Sequence, residues 1–215
     1  MSFRVSRTSF RDDRSLAERA AARSTSRLVE ARTAEAEGLL AAGMAVMVRN
    51  GTDKRATVAE IVKEAGLSNQ AFYRHFAGKD DLVAALIDAG ARRLAGYLEH
   101  TMAATDDPHT QLRTWITGVL KQATDPAVAG PTRAVAWNRG PIGLEAGDQA
   151  READRITFGL LEAPLAALGR PDPAADAYLI GTLVFRVLTE ALWADPPPKA
   201  KDLAFVTDFC LSAVQ

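Results

Sequence analysis

The run from Thr57 to Leu82, TVAEIVKEAGLSNQAFYRHFAGKDDL, restricts this chain more than any other stretch. It reads as two short helices meeting at a tight turn, then the start of a third. Thr57 followed by Glu60 is a capping box, in which hydroxyl and carboxylate satisfy each other's backbone N–H. Val58, Ile61, Val62 and Ala65 recur at helical spacing and give the first helix one buried stripe. Gly66 supplies the left-handed residue that stops it. Leu67 plugs the corner, and Ser68 caps a second helix, Asn69 to His75. Phe72 and Phe76 lie four apart on its inner face. Asn69, Gln70, Tyr73 and Arg74 are left outside, a polar set suited to base edges and phosphates. An ordinary helical hairpin would merely solvate such residues. Here small, polar and aromatic residues all fall where a helix-turn-helix needs them.

Charge distribution points the same way. The net charge of −1 hides a split. Residues 1–93 carry sixteen of the 26 Lys and Arg and twelve of the 27 Asp and Glu, a balance of +4. The remainder is at −5, so the basic half suits phosphate and the acidic half is held away.

The rest of the chain reads as helix throughout, with no alternating β runs and no internal repeats. Residues 1–30 form a basic arm with Arg4, Arg7, Arg11, Arg14, Arg19, Arg23 and Arg27, and Ser2 to Arg11 reads as disordered when free. Such an arm suits the minor groove, where Arg23 and Arg27 are the best placed; a solvated tail is the alternative. Thr33 to Arg49 reads as a scaffold helix ended by Asn50-Gly51. Lys79 opens a long helix to about Ala104, with Asp80 and Asp81 at the positive end of its dipole. Thr110–Ala123 follows. Pro126–Trp137 is a helix disturbed by Gly130-Pro131, and Asn138 to Gly147 is a loop. Asp148–Leu168 is a helix that Pro164 should kink. Ala174–Ala194 and Asp202–Val214 close the chain.

From about Ala31 to Leu86 the chain resembles the DNA-binding domain of the TetR family of transcriptional regulators. The most diagnostic run is AFYRHFAGKDDLVAAL, where Phe72, Tyr73, His75, Phe76, Lys79, Asp80, Asp81 and Leu82 fit the family pattern. Beyond it the likeness is one of length and helical character, and the extension before Ala31 draws no support from it. The fold expected is all-α: a helix-turn-helix domain over residues 31–78, joined to a larger helical domain over 79–215 for effector binding and dimerisation.

If the second helix enters the major groove, Gln70 and Asn69 suit adenine, while Arg74 takes guanine or a phosphate. Tyr73 offers a ring to a thymine methyl and a hydroxyl to a phosphate. Ala71 permits close approach, and Ser68 begins the reading helix. The resemblance implies that Tyr73, His75 and Lys79 hold the DNA backbone, with Thr57 doing likewise at a helix N-terminus. A single module is small, so a dimer on a palindromic operator is expected. The resemblance places its interface on the last two helices, where Leu183, Val187, Leu188 and Leu192 form a broad apolar face. The other reading is that this face fills the monomer core.

The resemblance also implies a small-molecule site in the C-terminal half. Met102, Trp115, Trp137 and Phe158 are its candidate walls, and Arg133, Asn138 and Arg155 its candidate handles, which suits an acyl or aromatic effector. Repression relieved by the ligand is the expected mechanism, with an effector-independent DNA-binding or interaction protein as the alternative. Catalytic motifs are missing: there is no phosphate-binding glycine loop and no nucleophile elbow. No cofactor is expected. No metal is either: Cys210 is the lone cysteine, and Asp106-Asp107-Pro108 beside His109 reads as a helix cap. With no apolar run long enough to cross a bilayer and no signal core, the expected location is the cytoplasm.

Overall fold

The computed structural model describes residues 15–139 and 148–214, and every described element is helical. In order these are α1 (Leu16–Asn50), α2 (Val58–Ala65), α3 (Asn69–His75), α4 (Lys79–Met102), α5 (Pro108–Thr124), α6 (Pro126–Arg139), α7 (Asp148–Gly159), α8 (Glu162–Ala167), α9 (Pro173–Leu192) and α10 (Ala204–Ser212), the last preceded by a single 3₁₀ turn at Ala200–Leu203. The all-α expectation holds.

The contacts divide the chain into two units, residues 1–38 and residues 39–215. In the first, residues 1–14 lie outside the described residues, and with them Arg4, Arg7, Arg11 and Arg14. From Leu16 onward the arm is helix. The sequence contains the reason: the Ser15 hydroxyl accepts from the Glu18 N–H, while the Glu18 carboxylate accepts from the Ser15 N–H at 2.7 Å. This capping box starts the helix, and the following alanine-rich stretch propagates it. Residues 23–34 are exposed on every side, Arg23 and Arg27 included.

The second unit has two hydrophobic clusters. One seats the last turns of α1 (Leu39, Val46, Met47) against Ile61 and Val62 of α2, Phe72 and Phe76 around α3, and Leu82, Val83 and Leu86 of α4. Ala134 and Val135 of α6 belong to this same cluster. Asn50 and Gly51 end α1, with Gly51 at φ 57°. The larger cluster joins Leu98 and Met102 of α4, Trp115 and Val119 of α5, Phe158 of α7, Leu165 of α8 and the inner faces of α9 and α10.

Several boundaries differ from expectation for physical reasons. α6 crosses Gly130-Pro131 unbroken and runs on through Asn138 to Arg139, so Asn138 is helical; residues 140–147 of the expected loop lie outside the described residues. The expected helix over 148–168 is two, because Pro164 has no N–H and its ring excludes the carbonyl four residues back, at Leu160. α7 therefore stops at Gly159 and α8 restarts with Pro164 in its first turn, where a missing N–H is harmless. Asp107 caps α5 by accepting from the Thr110 N–H at 2.9 Å, as the Asp-Asp-Pro run suggested.

Candidate nucleic-acid interface

The start of α2 is a closed hydrogen-bonded ring. The Thr57 hydroxyl accepts from the Glu60 N–H at 3.3 Å, and the Glu60 carboxylate accepts from the Thr57 N–H at 3.0 Å. Lys54 donates to the same carboxylate at 2.6 Å. That ammonium hydrogen bond, followed by those from Thr57, holds the Glu60 carboxyl down to about 2. Thr57 is thus engaged by its own helix, and Lys54 is the exposed cation beside it. At the other end of α2, Gly66 sits at φ 65°, and the Leu67 N–H reaches back to the Val62 carbonyl at 2.9 Å, a Schellman closure that fixes the turn.

The Ser68 hydroxyl accepts from the Ala71 N–H at 3.1 Å and starts α3. Phe72 is completely buried, and its ring meets Phe76 at 5.6 Å and Tyr73 edge-on at 5.4 Å. Tyr73 is 60% exposed, its ring steadied by Phe72. Asn69, Gln70 and Arg74 share the exposed side, and His75 is half-buried. Ala71 departs from expectation. It is buried, because it lies on the same side of the helical turn as Phe72, so it packs inward instead of facing DNA.

Lys79 opens α4 but turns away from open solvent. Its ammonium donates to the Asn138 carbonyl at 3.2 Å and lies 3.7 Å from Asp80. Asn138 is 0% exposed, and both polar atoms of its side chain have a partner. Its Oδ1 accepts from the Ala56 N–H at 2.8 Å, and its Nδ2 donates to the Ala134 carbonyl at 2.9 Å. Both atoms are thus engaged within the chain.

The remaining expected pocket residues separate into three places. Met102, Trp115 and Phe158 share the larger core, where the Trp115 indole donates to the Thr157 carbonyl at 2.9 Å and its ring lies 6.3 Å from Phe158. Arg133 and Trp137 stand one turn apart on α6, and Arg133 Nε and Trp137 Nε1 are buried without a hydrogen-bond partner. Trp137 packs 6.0 Å from Trp193, with the Arg55 guanidinium 5.7 Å from its centroid. Arg155 is exposed on α7.

The expected interface residues on α9 also resolve into two sets. Leu188 and Leu192 are buried in the chain's own core, and Leu183 and Val187 pack partly against it. The apolar residues left outside are Tyr178 and Leu179 on α9 with Phe205 and Phe209 on α10, each between 62% and 65% exposed. The broadest apolar face of a helix turns to its own core; the narrower second face is the exposed one.

Residues 39–86, which span the end of α1, the α2–α3 pair and the first turns of α4, match the sequence pattern of the bacterial regulatory proteins of the tetR family. That stretch carries the TetR-family DNA-binding pattern. No curated protein matches it over its length. Solved structures share the TetR-family fold over most of the chain. The fatty acid degradation regulator FadR of Bacillus halodurans aligns with a TM-score of 0.64 at 19% identity, covering 83% of this chain and 99% of that one. FadR of Bacillus subtilis, solved with stearoyl-CoA, gives 0.59 at 17% identity, covering 83% and 96%. RolR, solved with resorcinol, gives 0.62 at 18% identity, covering 86% and 89%. The matched segment holds all of α2 and α3, and the likeness beyond it is one of fold. Among the described residues no helix is long and apolar enough to cross a membrane.

Proposed function

We propose that this protein is a sequence-specific, DNA-binding transcriptional regulator, a repressor that works as a homodimer and is released by a small ligand. One observation carries the reading: α3 is capped and anchored by buried Phe72 while Asn69, Gln70, Tyr73 and Arg74 stand exposed on its other side. That arrangement fits a helix entering the major groove, with Gln70 and Asn69 facing base edges and Arg74 a guanine or phosphate. Tyr73 and His75 are placed to hold backbone, with Ser68 at the leading end. Arg23 and Arg27, on the exposed part of α1, are the arm residues proposed for the minor groove.

Exposed Tyr178, Leu179, Phe205 and Phe209 favour pairing through α9 and α10, since four large apolar side chains at such exposure mark an association surface. A dimer would present two reading helices about 34–36 Å apart, one turn of DNA. The domain reading, residues 31–78 for DNA and 79–215 for effector and dimer, follows this division of labour, as does a cytoplasmic location.

The effector reading draws support from B. subtilis FadR with stearoyl-CoA and RolR with resorcinol, which share the fold. Within this chain it draws support from the orphaned Arg133 Nε and Trp137 Nε1, because buried donors without partners invite an acceptor. An acyl or aromatic ligand carrying an oxyanion suits that pair beside the indole rings.

The test begins with DNA selected by the protein from a random pool, then fluorescence anisotropy on the winning sequence across a salt series. A palindromic winner, a steep salt slope and loss of binding in Arg74→Ala are expected. Selection of no sequence, or equal affinity for scrambled DNA, would remove the regulator reading. Thermal shifts against acyl and aromatic acids separate a ligand-gated protein from an effector-independent one.

A further inference from the structure

Asn138 holds the reading unit from both ends. Through its side chain it accepts the N–H of Ala56, the residue immediately before the Thr57 cap of α2. Through its backbone it accepts the ammonium of Lys79, the first residue of α4 and three beyond Phe76, which caps α3. The α2–α3 pair is therefore pinned where the chain enters it and where the chain leaves it, and both pins stand on one residue of α6.

The chemistry of each pin follows from its place. Asn138 is the penultimate residue of α6, so its carbonyl has no partner within the helix and lies at the negative end of the dipole, a natural seat for an ammonium. The carboxamide is the neutral side chain that can accept from Ala56 while donating to Ala134, leaving no charge to bury. Ala134 and Val135, one turn earlier, belong to the apolar cluster that also holds Ile61, Phe72 and Leu82.

We infer that Asn138 is a positioning residue, through which the helical half sets the orientation of the DNA-reading pair. The inference rests on the regulator reading above. A bond of 2.8 Å reaches the limit of hydrogen bonding after a shift of well under about 1 Å. A small slide of α6 therefore cuts the Ala56 pin and leaves that buried N–H without an acceptor, while the flexible Lys79 side chain can follow its carbonyl for longer. Arg133 and Trp137, with their unpartnered donors, lie on this same helix, five and one positions before Asn138. A ligand that engages them acts on the element that carries the latch.

The test uses the full-length protein and the DNA that the wild type selects from a random pool. Asn138→Leu keeps the volume and removes both polar atoms; Asn138→Asp keeps the oxygen that accepts from Ala56. In Asn138→Leu, DNA affinity per folded molecule should fall roughly tenfold. Amide exchange should rise at Ala56 and through α2 and α3 together, with α5 and α9 unchanged. Asn138→Asp, which keeps the Ala56 acceptor but loses the Ala134 donor and brings a charge, should recover only part of both effects.

Wild-type affinity in a folded Asn138→Leu protein would overturn the inference, as would faster exchange over the whole chain or at Ala56 alone. Failure of both variants to fold would make Asn138 an ordinary core residue and overturn it equally. If the wild type selects no DNA, the regulator reading falls, and the exchange pattern still decides whether Asn138 positions the α2–α3 pair.

Discussion

The Phe158 ring lies against Gly181 so closely that a Cβ there would come within 2.5 Å of two ring carbons. That ring cannot retreat, since it is boxed in edge-to-face by Trp115 at 6.3 Å, Phe185 at 5.3 Å and Tyr178 at 6.4 Å. The absent side chain of Gly181 is what joins α7 to α9. Gly181→Ala should destabilise the chain, because overpacking of about 1–3 kcal/mol outweighs the roughly 1 kcal/mol that alanine gains in a helix. Thermal denaturation checks it. At Gly118 the obstacle is the methyl end of Leu98, which is free to change rotamer. Gly118→Ala should therefore cost less, and an equal loss at both sites would refute the reasoning from ring confinement.

The cap of α2 gives a pH signature. The Glu60 carboxyl is lowered from 4.5 to about 2 in the folded protein, so the folded state favours the ionised form. Its contribution is fully present above about pH 4.5 and is lost as pH falls towards 2. Carbon-detected NMR of Glu60 should show titration near the lower value. Lys54→Met should move it upward, since the Lys54 ammonium is the largest cause of the shift.

Ser68 starts α3 with a single side-chain bond to Ala71. Ser68→Ala should cost about 1 kcal/mol of stability, and DNA affinity should fall with the order of the reading helix. If calorimetry shows the stability loss while affinity is untouched, α3 is ordered by its Phe72 anchor alone.

On α9 and α10 two kinds of leucine and phenylalanine should behave differently. Leu179→Glu or Phe209→Glu places a charge on an exposed apolar position, so sedimentation should find a folded monomer with weakened DNA binding. Leu188→Ala empties a core site and should lower stability by about 2–5 kcal/mol with the association state retained. A dimer that survives both surface charges would remove α9 and α10 from the interface.

The sequence made the α2–α3 pair legible because its signals are local. A capping box, a left-handed glycine, a serine cap and two phenylalanines four apart lie within twenty residues, and α3 spans the expected Asn69–His75. Legibility failed where the cause was distant or compound. In the arm the Ser15–Glu18 box starts a helix over a stretch with only a thin apolar stripe, so that stretch alone left helix an open reading. Pro164 announced an interruption, but its effect falls four residues earlier, at Leu160, where its ring meets the helix. On α9 the apolar face was real and pointed inward, so Leu188 and Leu192 lie in the core while Tyr178 and Leu179 stand outside. Asn138 left no local signal at all, because its side-chain partner Ala56 lies 82 positions away.

The place of Ala134 and Val135 in the α2–α3 core bears on how this chain can be cut and recombined. Most of the amino acids that seal that core come from the first 86 residues, but these two arrive from α6. A fragment ending before α6 would open part of that apolar cluster to water. A chimera that grafts these reading helices onto another sensor must bring the last turns of α6 along, or find in its new host a helix that ends in the same place.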